Sequence, residues 1–154
     1  MTRGRTGGPL PATYWPQPWL TQLWFDLGVR SYFHTGQNSG NLFNRANAAE
    51  THRRPALVRP FELQRFERCS ALYDARMRQV HREMFGARPG AAPPVPTRGD
   101  LLRLRRDPAV DWVVVPQHFP DLAAATNGRW SVYDARRIRN SRESLAGRGE
   151  QAGP

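Results

Sequence analysis

The sequence predicts a small α/β domain in which helices pack on a sheet of about three strands. Apolar residues recur at helical spacing between residues 61 and 85, and strand-like segments lie before and after this region. Pro- and Gly-rich stretches separate the strand-like segments from the helical region. We therefore expect a single domain at residues 14–139. A disordered arm (1–13) is expected before it and a disordered tail (140–154) after it, because both ends are polar and rich in Gly, Ser or Arg.

The first third of the chain is predicted to hold two short helices and a strand. Apolar residues at helical spacing predict a helix at 18–27, and alternation of apolar and polar residues predicts a strand at 29–33. The segment HTGQNSGN at 34–41 is typical of a loop. A second helix is expected at 44–54, because Pro55 disfavours its continuation.

One long amphipathic helix is predicted at residues 61–85. Pro60 before it and Gly86 after it are typical of helix ends. We expect its apolar stripe to face the core, with the cysteine buried in it, and we expect His81 to be solvated among arginines. The stripe consists of Leu63, Phe66, Cys69, Tyr73, Met77, Val80 and Met84.

The last third predicts one more helix and two more strands. Residues 97–100 have the form of a capping box, with Asp in place of Glu, and so begin a helix. The continuous apolar run at 110–115 is typical of a strand covered on both faces. Residues 121–126 are expected to form one helical turn, and the alternating segment at 129–134 is predicted to be a strand.

The charge balance bears on the choice of partner. The net charge is +10, and all 23 basic residues are arginine. Nucleic-acid binders usually mix Lys and Arg, so this composition points to a GC-rich coding background. The arginine clusters at 53–54, 103–106 and 136–139 fall on different predicted elements. An RNA- or DNA-binding protein is therefore an alternative function rather than the leading one.

Cysteine content and hydropathy restrict the class of protein further. Cys69 is the single cysteine, which excludes an internal disulfide and a cysteine-based metal site. We expect a soluble chain, since no apolar run approaches the roughly 20 residues of a membrane span. The compartment stays open: cytoplasmic for a protein that stands alone, extracytoplasmic for the tail of a membrane protein.

Two loops that follow strands are the candidate ligand site, because ligands of open α/β sheets gather at the carboxyl ends of strands. A polar or sugar ligand is the expected occupant. The two histidines would also suit acid–base chemistry, which makes a small hydrolase or transferase a second alternative. The chain lacks the motifs GxSxG, HExxH and CxxC, so we predict no catalytic residue, metal or cofactor. The candidate ligand-binding residues are His34, Gln37, Asn38, Ser39 and His118.

Aromatic residues near the start of the domain suggest a docking surface. Trp15, Trp19 and Trp24 lie within ten positions of one another. Exposed apolar patches mark interaction sites, so these tryptophans are predicted to dock a partner, such as a membrane protein.

The order of elements carries a resemblance to a known group of proteins. A loop ending in Phe43-Asn-Arg45, a long helix, a Pro-rich connector, the strand Asp111-Trp-Val-Val-Val-Pro116 and the segment Arg129-Trp-Ser-Val-Tyr133 follow one another. Over residues 14–135 this resembles the soluble C-terminal domain of bacterial polytopic membrane proteins related to lipid-linked-sugar glycosyltransferases. The resemblance implies a non-catalytic accessory domain, because the catalytic carboxylates of those proteins lie in membrane-associated loops that this chain lacks.

Overall fold

A computed structural model describes residues 10–16, 22–34, 45–88 and 91–141. Among these residues, no helix has the length and apolarity that a membrane crossing requires. The helices are α1 (Arg45–Arg68), α2 (Ala75–Met84), α3 (Arg98–Leu104) and α4 (135–141), with a π-helical turn at Gln22–Asp26 and a 3-10 turn at Ser70–Leu72. The strands are β1 (Ala12–Tyr14), β2 (Arg30–Ser31), β3 (Trp112–Val115), β4 (Ala125–Thr126) and β5 (Ser131–Asp134).

The strands form one mixed sheet in the order β2-β1-β3-β5-β4. β1 runs parallel to both β2 and β3, whereas β5 runs antiparallel to β3 and β4. The α/β class is confirmed, but five strands replace the expected three. The two missed strands, β1 and β4, have three and two residues, which is too short for an alternating pattern to stand out.

Four predicted elements have counterparts in the structure. The strands expected at 29–33, 110–115 and 129–134 are β2, β3 and β5. The helix expected after residue 97 is α3, and its capping box is complete: the Thr97 side chain accepts a hydrogen bond from Asp100 N, and the Asp100 side chain accepts one from Thr97 N.

The predicted single helix at 61–85 is wrong, because the chain forms two helices there. α1 begins at Arg45 and continues through Pro55 and Pro60 to Arg68, so the helix expected at 44–54 is only its first half. Each proline removes one backbone hydrogen bond. Burial of Val58, Phe61, Leu63 and Phe66 on the same helix offsets that loss, since each contributes about 1.5–3 kcal/mol.

The second helix has its own start signal. The chain turns between residues 69 and 74, and the Asp74 side chain then accepts a hydrogen bond of 2.7 Å from Met77 N as the N-cap of α2. Gly86, with a φ of +60°, follows the end of this helix. A periodic apolar pattern does not reveal such a turn, because the spacing of the apolar residues continues across it.

The predicted apolar stripe is buried only in its first half. Leu63 and Phe66 belong to the core, but Cys69 is only half-buried, at the turn that follows α1. In α2 the outcome is reversed: Met77, Val80 and Met84 are 45%, 46% and 37% exposed, whereas His81 is 6% exposed. The expectations of a buried Cys69 and a solvated His81 were both wrong.

The sheet buries one face more completely than the other. Val113 and Val115 of β3 are fully buried, while Trp112 and Val114, which point to the opposite face, are half-buried. The continuous apolar run therefore does not lie in a sheet equally covered on both sides, as expected.

Three further predictions are corrected or fall outside the described residues. The helix expected at 18–27 is a π-helical turn over the part that is described, and the turn expected at 121–126 ends in β4. Most of the predicted disordered arm and tail lies outside the described residues. However, Ala12 and Thr13 of the arm pair in β1, and α4 continues to residue 141.

Candidate functional site

The topology directs attention to the carboxyl ends of β1 and β3. The chain passes from β1 to β2 on one side, and β3 joins β1 on the other side, with all three strands parallel. The strand order therefore reverses between β1 and β3. In open α/β sheets a crevice forms at the carboxyl end of such a reversal, because the two connections leave in opposite directions.

A pocket of about 250 Å³ lies at this position, and we call it the switch-point pocket. Pro16 follows β1 and Pro116 follows β3, so both strand ends contribute to its wall. The end of α1 and the approach to β5 complete it. The described lining residues are Pro16, Arg65, Arg68, Cys69, Pro116, Arg129 and Trp130, and none of them is acidic.

A buried ion pair lies on the α1 side of the switch-point pocket. Arg65 Nη2 is 2.6 Å from Glu62 Oε2, and the two side chains are only 2% and 3% exposed. Tyr14 donates its hydroxyl to Glu62 Oε1 at 2.9 Å, and Arg65 Nη1 donates to the Tyr73 hydroxyl at 3.2 Å. Burial, reinforced by the Glu62 charge, raises the pKa of Tyr14 well above its ordinary value, so the phenol stays protonated. Arg65 is therefore neutralised within the protein.

The other two arginines of the pocket are not neutralised in this way. Among the described residues, neither Arg68 nor Arg129 forms an ion pair. Arg68 keeps part of its surface in solvent, yet the surrounding protein lowers the pKa of its guanidinium, and the nearby charge of Arg129 lowers it further. Two like charges therefore stand close together on one side of a concave surface.

Tryptophan residues flank the same region. Trp15 and Trp130 are both half-buried and pack edge to face, with ring centroids 5.9 Å apart. Trp15, predicted to belong to a docking patch, therefore packs beside the switch-point pocket. Trp24 is 46% exposed in the π-helical turn, next to Phe25 at 80%. Trp19 lies outside the described residues.

The two predicted ligand loops follow strands that are not neighbours in the sheet. His34 follows β2 and His118 follows β3, and β1 lies between those strands. His34 is half-buried, and its charge is close enough to lower the pKa of His81. Gln37, Asn38 and Ser39 lie outside the described residues.

His118 contacts β5 rather than an open site. Its Nδ1 atom is 3.1 Å from Ser131 Oγ. A histidine next to a serine hydroxyl is the arrangement of a general base and a nucleophile. Ser131 is 1% exposed, however, so this hydroxyl is closed to a substrate.

The arginine clusters act mainly within the domain. Arg53 pairs with Glu50 and with the buried Asp107, both at 2.6 Å. Arg139 Nη1 donates to three backbone carbonyls that precede β3, and Arg136 pairs with Asp111 at 2.5 Å. These three arginines therefore help to hold the fold together.

Sequence reasoning missed the residues that line the switch-point pocket. It assigned no role to Arg68, and it used the segment containing Arg129 and Trp130 only as a strand. Pro16 and Pro116 were the available signal, because a proline within two residues of the end of each strand marks where the strands end. Their adjacency depends on the pairing of β1 with β3, which no local pattern encodes.

Among the residues that the structure describes, no group of three or more His, Cys, Asp or Glu side chains is placed to hold a metal ion. The switch-point pocket is thus cationic, and Trp130 is the aromatic residue among its described lining residues. No protein-family model, curated protein or solved structure matches the chain.

Proposed function

We propose that this chain is a binding domain, without catalytic activity of its own, that holds a compact anion such as a phosphate group in the switch-point pocket. The observation that carries the proposal is the pair Arg68 and Arg129, which line a concave surface with no acidic residue among its described lining. Two guanidinium groups in this arrangement repel each other, and a bound dianion relieves the repulsion.

The chemistry of the pocket favours a phosphate over a neutral ligand. Guanidinium groups present paired N–H donors that match the oxygens of phosphate and carboxylate. Arg65 is engaged by Glu62, so Arg68 and Arg129 are the residues assigned to the anion. The volume of about 250 Å³ lies below the range of about 300–1,000 Å³ that holds drug-sized ligands, which favours a small group.

The biological setting that we propose is that of an accessory domain of a cell-envelope glycosyltransferase-like membrane protein. Its support is the resemblance in the order of elements, together with the cationic lining of the pocket. A phosphorylated sugar would be a fitting ligand, since Trp130 provides an aromatic wall beside the arginines.

The alternatives are less well supported. Nucleic-acid binding needs many unpaired cations along one face, whereas Arg53, Arg136 and Arg139 are engaged within the domain. A hydrolase that uses His34 and His118 together needs both rings at one substrate atom, whereas their strands are separated by β1.

Isothermal titration with inorganic phosphate at low ionic strength tests the proposal. We expect the wild-type protein to bind phosphate, and we expect Arg68→Gln and Arg129→Gln each to weaken binding about tenfold or more, since each removes a charge-assisted hydrogen bond worth about 1.5–3 kcal/mol. The matched control is Arg103→Gln, because Arg103 is exposed on α3, outside the pocket. Absence of phosphate binding, or equal effects of all three substitutions, would contradict the proposal.

A further inference from the structure

A second and larger cavity is lined by other residues of α1. It is enclosed by the C-terminal half of α1, the end of α2 and the Pro/Ala connector at 91–94, and its volume is about 340 Å³. We call it the connector pocket. Unlike the switch-point pocket, it falls within the size range of about 300–1,000 Å³ that is usual for small-molecule sites.

The connector pocket combines an apolar wall with a cationic rim. Leu63 and Phe66, both core residues, line it on the α1 side, and Pro93 and Pro94 line it on the connector side. Among the described lining residues, four are arginines and one, Glu67, is acidic. The arginines are Arg59, Arg78, Arg82 and Arg88.

One of these arginines is held in a fixed position. Arg59 donates Nε to Phe85 O at 2.5 Å and Nη2 to Gly86 O at 3.0 Å, so it caps the carbonyl end of α2. Arg82 and Arg88 are exposed, and no ion pair among the described residues involves either of them. The rim thus has an anchored cation beside two that are available to a ligand.

We infer that the connector pocket binds an amphipathic anion, namely a phosphate group carried on an aliphatic chain. The phosphate lies against Arg82 and Arg88, and the chain lies against Leu63, Phe66 and the prolines. This site is independent of the proposed function, because the two pockets share no lining residue. A compact anion suits the switch-point pocket, whereas only the connector pocket offers an apolar wall to a chain.

A series of soluble probes tests the inference by titration calorimetry: inorganic phosphate, ethyl phosphate, hexyl phosphate and hexanol. Each buried methylene contributes about 0.8 kcal/mol, or roughly fourfold in affinity. We therefore expect hexyl phosphate to bind on the order of a hundredfold more tightly than ethyl phosphate, and hexanol to bind far more weakly than hexyl phosphate. Equal affinities along the alkyl series, or equal affinities for hexanol and hexyl phosphate, would overturn the inference.

Arginine substitutions in the two pockets serve as controls for each other. Arg82→Gln and Arg88→Gln together are expected to weaken hexyl phosphate binding tenfold or more. They are expected to leave the binding of inorganic phosphate to the switch-point pocket unchanged. Arg68→Gln is expected to have the opposite pattern. Ala92→Asp, at an exposed connector position that lines the cavity, adds a negative charge and is expected to weaken hexyl phosphate binding as well. Insensitivity of hexyl phosphate binding to these connector-pocket variants would assign it to another surface.

An alkyl phosphate group can come from a free amphiphile or from a lipid in a bilayer, and vesicles distinguish the two sources. Co-sedimentation with phosphatidylcholine vesicles that contain phosphatidic acid is expected to depend on Arg82 and Arg88 if the lipid is the source. Binding of hexyl phosphate without vesicle binding identifies a free amphiphile. Vesicle binding without hexyl phosphate binding would replace the pocket by a general surface contact and overturn the inference.

Discussion

The last turns of α1 and the whole of α2 carry the same kind of apolar pattern and use it in opposite ways. Phe61 and Phe66 of α1 are 1% and 6% exposed, whereas Met77 and Val80 of α2 are 45% and 46% exposed. α1 packs against α3 and α2, so its apolar face is covered. α2 instead turns His81 to the core. The comparison teaches that apolar spacing identifies a helix face but not what covers that face.

The two helices also differ in the polar side chains that they bury. α1 buries a charged pair, Glu62 and Arg65, that hydrogen-bonds two tyrosine hydroxyls. α2 buries the single imidazole of His81, whose ring lies 4.0 Å from the Phe66 ring between centroids. A charge is kept in α1 because its partner is three residues away on the same helix. Burial of His81, together with the positive charge of Arg65 nearby, favours its neutral form.

The largest expected difference between the helices is in the cost of truncating their apolar residues. Phe66→Ala should destabilise the protein by about 3–5 kcal/mol, because it empties a core site. Met77→Ala should cost no more than about 0.5 kcal/mol, because the side chain is already half in water. Urea unfolding monitored by circular dichroism measures both changes. Similar costs at the two positions would show that the stripe of α2 is buried in solution.

A somewhat smaller difference is expected for the acidic residues. Glu62→Gln leaves the buried Arg65 without its counter-ion and should cost about 3 kcal/mol, the lower end for a broken buried pair because the amide oxygen still accepts a hydrogen bond. Glu83→Gln in α2 is the matched control, since Glu83 is exposed and bonds only Gln79 among the described residues. Replacing both partners, with Glu62→Leu and Arg65→Met, removes the unpaired charge and should recover part of the loss, because the buried Tyr14 hydroxyl then lacks its acceptor. A Glu62→Gln variant as stable as Glu83→Gln would contradict the buried pair.

An element of this fold could be predicted from the sequence where its signal lies in neighbouring residues, and could not where the signal depends on contacts between distant residues. β3, β5 and the capped start of α3 were predictable, because alternation and the pair Thr97–Asp100 are local. β1 was not, since three residues in a Pro-rich segment become a strand only by pairing with β3. Pro55 and Pro60 were misread as helix ends because their cost is offset by packing that only the folded protein contains. The residues of the switch-point pocket were missed because their proximity also exists only in the folded protein. Arg68 and Arg129 belong to different elements, and both line the pocket.

The buried histidine of α2 should make the stability of the protein depend on pH. Burial, followed by the charges of Arg65 and His34, lowers the pKa of His81 from 6.5 to about 4. The unfolded chain therefore binds more protons between those values, so stability falls as the pH is lowered from 6.5 to about 4 and is unaffected by this group above 6.5. The loss is at most about 3 kcal/mol.

This pH effect is isolated by comparing variants, because carboxylates also titrate near its lower limit. The difference in unfolding free energy between the wild type and His81→Gln should change across that window, and His52→Gln, at an exposed position of α1, is the matched control. Identical pH profiles for the two variants would count against a neutral, buried His81.

The smallest effect tests whether α1 and α2 are separate helices at all, and it does so by its sign. Asp74 accepts a hydrogen bond from Met77 N as the N-cap of α2, so Asp74→Ala should cost about 1 kcal/mol. In a continuous helix over residues 61–85 the same position would be internal, and alanine there would stabilise by about 0.5 kcal/mol, because it is the better helix former. Thr97→Ala at the cap of α3 provides the reference for a lost cap. Thermal and urea unfolding of the wild type, Asp74→Ala and Thr97→Ala decides between the two arrangements. A gain of stability in Asp74→Ala requires an unbroken helix. A loss similar to that of Thr97→Ala requires a helix that begins at Ala75.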